Sequence, residues 1–462
     1  MNHLLPASLL RPGLCLLLLT GVLAGWDLAH QLPDAPWWQA IFSPNLDDAR
    51  QAVIHFSWLP RLVVCLLAGA ALGLAGTLMQ QVLRNPLASP TTLGVASGAQ
   101  LALMMVTLFA PSWLLIGREW IAMAGGSLAM ALVFALAWRR QLNPVVIVFA
   151  GLVINLYLAA ISMGLLLFFQ EELKGLLVWG SGSLAQNSWS GVLYLLPRLL
   201  VAVVLAALLV RPLAVLELDD ASARSLGVSL KQLRFAGLGL AVFITACVVS
   251  VVGLIGFIGL AAPVMVRMLG VRQLGLRLLW APVLGALLLA ATDLLLQSLT
   301  RFWPVLIPTG AMTALLGAPL LLWLIPRLSF KATPRATVGL VVARHPAPAR
   351  FIAILVAGLV AVMLASLLVG QGMDGWHWPS WFRWQAQLEW RLPRTLAAGA
   401  AGVLLALAGT LLQRVSNNPM ASPELLGVSG GTFMGVIVTA LLLPALPLPL
   451  MLLGGVLGAF AC

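Results

Sequence analysis

Residues 59–98 read LPRLVVCLLAGAALGLAGTLMQQVLRNPLASPTTLGVASG, and residues 392–431 read LPRTLAAGAAGVLLALAGTLLQRVSNNPMASPELLGVSGG. Twenty-two of these 40 paired positions are identical at a single offset of 333. An apolar chain reuses Leu and Ala by chance, but it does not repeat polar and Pro positions in register. The pairs Arg61/Arg394, Gln80/Gln413, Asn85-Pro86/Asn418-Pro419 and Ser89-Pro90/Ser422-Pro423 therefore mark an internal duplication.

Each copy has a mechanical reading. The apolar run stops at Asn85-Pro86, because proline disfavours helix at the residue before it and cannot continue the hydrogen-bond ladder. A new helix is predicted to start at Ser89-Pro90, a capping hydroxyl followed by proline in the first helical position. In the second copy Glu424 adds a carboxylate where a helix dipole favours one. Two membrane helices are thus joined by a short, stiff, polar turn. It reads either as an ordinary corner or, since both copies hold the same side chains, as a mechanical gate.

Working outward, composition sets the class. The chain is 61% hydrophobic and 9% charged, which excludes a soluble globular domain. Apolar runs near the length that crosses a bilayer as helix recur throughout, and strand-type alternation is absent, which argues against a β-barrel. The fold predicted is all-α and polytopic, with spans near 12–28, 60–82, 91–111, 119–138, 145–169, 191–210, 232–250, 253–268, 279–298 and 309–326. With a cytoplasmic N-terminus, seventeen of the 26 Lys and Arg residues fall on the inner side. The net charge of +12 is then a topology signal rather than a nucleic-acid footprint.

The first span resembles a cleaved secretory signal, with Arg11 before an apolar run. The duplication opposes that reading, because the same shift carries the span onto Phe351–Gly370, in mid-chain. Ten crossings place both repeats in one orientation, a parallel tandem. The domains expected are a complete ten-helix repeat at 1–328, a basic cytoplasmic linker at 329–350, and about four helices of a second repeat at 351–462. Residue 462 maps onto position 129, so the second copy is expected to be truncated.

Catalytic signals are lacking. Cys15, Cys65, Cys247 and Cys462 have no metal or redox spacing, and the five histidines are scattered. No metal site is expected, and no P-loop motif occurs. The segment Gly25–Pro60 reads as a long acidic outer loop. Its counterpart, Gln371–Pro393, carries Trp376, Trp378, Trp381, Trp384 and Trp390, read as an aromatic belt on an interfacial helix or as a docking surface. Gly- and Ala-rich runs such as Ala68–Gly76 mean close helix packing in lipid. Gly253-Leu-Ile-Gly-Phe-Ile-Gly-Leu before Pro263 reads either as such a contact or as a broken helix beside a cavity. Asp293 is the one acid placed within a span, a functional candidate or a hydrogen bond to a neighbouring helix.

Between the sixth and seventh spans lies Leu218-Asp219-Asp220-Ala221-Ser222-Ala223-Arg224-Ser225-Leu226-Gly227-Val228. Asp219 or Asp220 caps a two-turn helix that ends at Gly227, a residue tolerant of the left-handed turn. Such a helix at the membrane face reads as a lever offered to another protein, or as a simple surface helix.

These motifs, with Gly256-Phe-Ile-Gly-Leu and Pro308-Thr-Gly…Leu-Gly-Ala-Pro, resemble the permeases of iron-siderophore and vitamin B12 ABC importers. The double-length form and the wording of Gln80-Gln-Val-Leu-Arg-Asn-Pro-Leu-Ala are most similar to the fused ferric hydroxamate (ferrichrome-type) permeases. The resemblance covers essentially the whole chain. It implies a bacterial inner-membrane transport subunit, not itself an enzyme, that moves the chelate from periplasm to cytoplasm by alternating access. Implied partners are two ATP-binding-cassette ATPase subunits inside, a periplasmic siderophore-binding protein outside, and membrane lipid. No cofactor is implied, since iron is only the substrate's and ATP belongs to the ATPases.

By position, Asp219, Asp220, Ala223, Arg224, Leu226 and Gly227 correspond to the ATPase-coupling helix. Asn85 and Leu87, with Asn418 and Met420, match the cytoplasmic gate turn. Arg61, Arg301, Arg391 and Arg394 fall where family arginines meet acids of the binding protein; Trp58 stands where the second copy has Arg391, so docking need not be symmetric. Many relatives have Pro-His at the turn after Phe-Ile-Gly-Leu, whereas Pro263 is followed by Val264, and no role is assigned there. The alternatives are the same importer type carrying vitamin B12, haem or another iron chelate, and a secondary transporter or channel without an ATPase.

Overall fold

The computed structural model describes residues 7–32, 37–45, 47–217, 223, 225, 227–302, 307–324, 346–372, 375–377, 384–416, 421–423, 427–443 and 447–461. The chain divides into two compact units, Met1–Lys331 and Ala332–Cys462. In the first, the helices in order are α1 (Ala7–Gln31), α2 (Trp37–Phe42), α3 (Ala49–Val53), α4 (Leu59–Leu83), α5 (Val95–Phe109), α6 (Arg118–Trp138) and α7 (Pro144–Phe168). They continue as α8 (Gln170–Gly180), α9 (Ser190–Ala214), α10 (Leu230–Val252), α11 (Ile258–Met268), α12 (Leu274–Phe302) and α13 (Thr309–Leu324). Among the described residues nine helices are long and apolar enough to cross a membrane, seven of them in this unit. The short apolar helices α5, α11 and α13 occupy the remaining three predicted spans.

The unit is built around α4. Every residue from Ala71 to Leu83 is buried, so this helix is enclosed by protein on all sides. Glycine lets its neighbours approach. A β-carbon at Gly69 would collide with the Gly285 carbonyl of α12, and one at Gly73 with that of Ala281. At Gly76 the collision is with the Gly259 carbonyl of α11. Pro263 lies inside α11, not at a turn as expected, and its missing N–H leaves Gly259 without the usual i+4 donor. The carbonyl that the helix cannot use is the one seated on Gly76.

The expected acidic outer loop is largely helical. A π-turn at Ile54–Trp58 joins α3 to α4, so one helix runs from Ala49 to Leu83 with Pro60 inside it. The wide turn takes up the disruption that made Pro60 read as a helix start. Asp27 is buried on α1, where its carboxylate accepts from Trp58 Nε1 at 2.6 Å and Gln31 Nε2 at 3.0 Å.

The eighth span is broken. The helix α10 ends at Gly253, φ +72°, residues 253–257 are non-helical, and only then does α11 begin. Protein borders this break: β-carbons at Gly182 and Gly253 would collide with the Leu254 and Trp179 carbonyls, and beside it Ser183 N donates to Val252 O at 2.9 Å and Gly310 N to Gly182 O at 3.0 Å. Irregular backbone at this depth is tolerated because protein, not lipid, satisfies it. The helix expected from Ser89 likewise starts late. Ser89 caps a 3₁₀ turn, Pro90–Leu93, and after Gly94 (φ +80°) the α-helix opens at Val95.

The second unit comprises α14 (Pro348–Leu368), strands β1 (Gly370–Gly372) and β2 (Gly375–His377), α15 (Trp384–Val415), α16 (Val428–Leu442) and α17 (Leu448–Ala461). The start of the tryptophan-rich segment is thus an antiparallel hairpin pairing Gly370 with His377, where a helix was expected. Gly370, Gly372 and Gly375 disfavour helix there. The offset of 333 holds in the backbone: α16 occupies the shifted positions of α5, and Gly427 (φ +79°) repeats Gly94. The linker segment 329–345 lies outside the described residues.

Candidate functional site

At the end of α4 opposite Pro60 is the Asn-Pro turn. Arg84 closes the helix in the left-handed conformation, φ 48°, so the chain leaves α4 abruptly. Asn85 then forms an Asx turn: its Oδ1 accepts from Leu87 N at 3.0 Å, and its carbonyl accepts from Ala88 N at 3.1 Å. Leu87 is exposed at the tip. A half-buried amide that folds its own backbone this way makes a stiff turn that moves as a unit. Asn418 and Met420, the second copy's gate residues, lie outside the described residues.

The turn is tied to the segment that precedes residues 219–227. Arg84 Nε donates to Leu216 O at 2.7 Å, and Gln81 Nε2 donates to Leu213 O at 3.1 Å. Arg277, near the start of α12, donates to Gln81 Oε1 at 2.9 Å and to Glu217 Oε1 at 2.6 Å. Gln80 reaches the Leu260 carbonyl of α11 at 3.3 Å. Charge-assisted bonds of this kind are the stronger ones, and several sharing two elements couple them mechanically. Sequence reasoning did not single out Gln81, Arg84, Glu217 or Arg277 for this role. Polar residues at the end of an otherwise apolar run were the available signal.

Beyond Glu217, Ala223 and Ser225 are helical, with Ala223 buried and Ser225 exposed. Gly227 adopts φ +76° at an exposed turn, the conformation expected of it. Asp219, Asp220, Arg224 and Leu226 lie outside the described residues.

At the other end of α4, Arg61 is held within the fold. Its Nε and Nη2 form a fork onto both oxygens of Asp293 on α12, at 2.8 and 2.7 Å. Gln297 Nε2 and Thr309 Oγ1 complete the carboxylate at 2.8 and 2.9 Å. Asp293 therefore takes the neighbouring-helix reading of the two that were open. In the second unit, Arg391 donates to the Leu367 and Val369 carbonyls at 3.2 and 3.0 Å, and Arg394 is exposed. Arg301 lies in the last turn of α12. No cluster of three potential metal ligands occurs among the described residues.

The model of the FecCD transport family matches residues 15–327 and 351–462. The chain is 46% identical, over 98% of its length, to the iron(3+)-hydroxamate import system permease protein FhuB of Salmonella typhimurium, covering 66% of that protein. To FhuB of Escherichia coli K12 it is 44% identical over 99% of the chain and 68% of the relative. It thus spans about two thirds of the length of these relatives. The hemin transport system permease protein HmuU of Yersinia pestis is 36% identical over 63% of the chain and 87% of HmuU. A solved metal-chelate type ABC transporter in an inward-facing conformation superposes with TM-score 0.59 and 28% identity, covering 69% of this chain and 99% of that one.

Proposed function

The chain belongs to the FecCD transport family, and from that premise we propose that it forms the membrane path of an ABC importer for ferric hydroxamates. The observation that carries the substrate class is the 46% identity, sustained over 98% of the chain, with a hydroxamate import permease. The geometry supports a mechanism. ATP hydrolysis on two separate subunits moves the helix ending at Gly227. The bonds from Gln81, Arg84 and Arg277 to residues 213–217 pass that movement to the Asn85 turn. Opening of this turn and of its counterpart at Asn418 releases the chelate to the cytoplasm, and a periplasmic binding protein supplies it from outside. In this reading the N-terminus is cytoplasmic, the membrane is the bacterial inner one, and the two repeats run parallel.

Docking of that binding protein falls to the exposed Arg394 and to Arg301 and Arg391, with Arg61 anchoring the helix that presents the surface. A transporter without an ATPase would need a charged relay inside the spans, and Asp293, the acid expected there, already has both oxygens engaged.

The test is growth of a strain deleted for the full-length protein on single iron sources. Loss of growth on ferric hydroxamates alone, restored by the gene, is expected. Unchanged hydroxamate use, or loss confined to ferric citrate or hemin, would overturn the substrate assignment.

A further inference from the structure

Beneath the Asn-Pro turn is a cavity of about 390 Å³ lined by Gln80, Gln81, Arg84, Leu216, Glu217, Arg267, Arg272 and Arg277. Among the described residues four guanidinium groups and one carboxylate, that of Glu217, face it. Glu217 is already engaged by Arg277, while Arg267 and Arg272 have no ion-pair partner among the described residues. Arg277 is 5% exposed, and its Nε is a buried donor without a partner among the described residues. Leaving such a donor unsatisfied costs stability unless something accepts from it. The base of the cavity, Gln80, Gln81 and Arg277, is buried, whereas Arg272 and half of the Glu217 side chain reach the surface. The shape is a funnel, charged at its rim and floor.

We propose that this funnel binds a phosphate group, and that the group is the headgroup of an anionic phospholipid. The planar fork of arginine matches phosphate oxygens at two points, and several forks converging on a small cavity favour a compact dianionic or monoanionic group. The position favours lipid as the source. The cavity lies where α4 and α11 end and α12 begins, so in the orientation proposed above it is a basic pocket between membrane helices on the cytoplasmic side, a site for such groups. Helices α4, α9 and α12 also enclose an apolar cleft of about 330 Å³, between Leu67–Leu74, Leu196–Val210 and Gly275–Pro282, that offers an acyl chain a seat. A phosphate held here would bridge Arg277 and Arg84, both of which bond the segment before the lever, so bound lipid would stiffen the link between lever and gate. The lipid source rests on the orientation proposed above, whereas the phosphate site does not.

The experiment uses the full-length protein, purified with Arg267→Gln/Arg272→Gln as the variant, since neither rim residue bonds the gate or the lever. Wild type and variant are reconstituted with phosphatidylcholine and phosphatidylglycerol, and lipid retained after extraction is counted by native mass spectrometry. Wild type is expected to retain phosphatidylglycerol over phosphatidylcholine, and the variant to lose that preference by roughly tenfold or more. In a second arm inorganic phosphate is titrated against retained lipid. Failure of phosphate to displace phosphatidylglycerol supports the lipid source. Displacement at low millimolar phosphate, lost in the variant, would reassign the source to solution while upholding the phosphate site. Equal retention by wild type and variant, with no phosphate effect, would overturn the site altogether.

Discussion

Arg61 and Asp293 show what a membrane interior demands of a charge. Both carboxylate oxygens and two guanidinium nitrogens are paired, and Gln297 and Thr309 fill the remaining positions. Removing one partner strands the other in a low dielectric, whereas removing both does not. Asp293→Leu is therefore expected to destabilise the purified protein by about 3 kcal/mol in reversible unfolding, and Arg61→Leu/Asp293→Leu by markedly less. Equal losses would show that the pair adds nothing beyond packing. Asn85 poses a similar question at the proposed gate, where its side chain folds the turn through Oδ1. Asn85→Asp keeps that acceptor and should retain most uptake. Asn85→Ala removes it and should lower uptake severalfold with normal membrane insertion, scored by radiolabelled iron uptake against protein level.

At the scale of elements, the two roles of glycine separate cleanly. Gly76 faces the Gly259 backbone with no room for a side chain, while a β-carbon at Gly256 meets nothing within 4 Å. Gly76→Val should cost at least ~3 kcal/mol and deplete folded protein, and Gly256→Ala should be tolerated, as read by yield and thermal unfolding. Gly227 is open to solvent but sits at φ +76°. A β-branched side chain there strains the turn by about 1–3 kcal/mol without touching the core. Gly227→Val is expected to abolish uptake while insertion stays intact, and unchanged uptake would count against the lever. The sequence was most legible at this scale, because each span is an apolar run and Gly227 announces its conformation. It was least legible where a distant partner rewrote a local signal. Pro60 reads as a helix start until a π-turn absorbs it, and Ser89-Pro90 opens a 3₁₀ turn before the helix. Arg61 reads as a surface arginine until Asp293, 232 residues away, is seen to hold it. The bonds from Gln81, Arg84 and Arg277 could not be read at all, since pairing across three helices leaves no trace in local spacing.

At the scale of the whole molecule, the proposed transport passes work from ATPase subunits through the helix ending at Gly227 to the turn at the end of the buried helix α4. The measurement that bears most directly on this is ferric hydroxamate uptake by proteoliposomes holding the full-length protein and the binding protein, with and without the ATPase subunits. Uptake that requires both ATP and the ATPases, and that vanishes with Gly227→Val while assembly persists, is the result predicted. Uptake that continues unchanged when the ATPases are left out would contradict it.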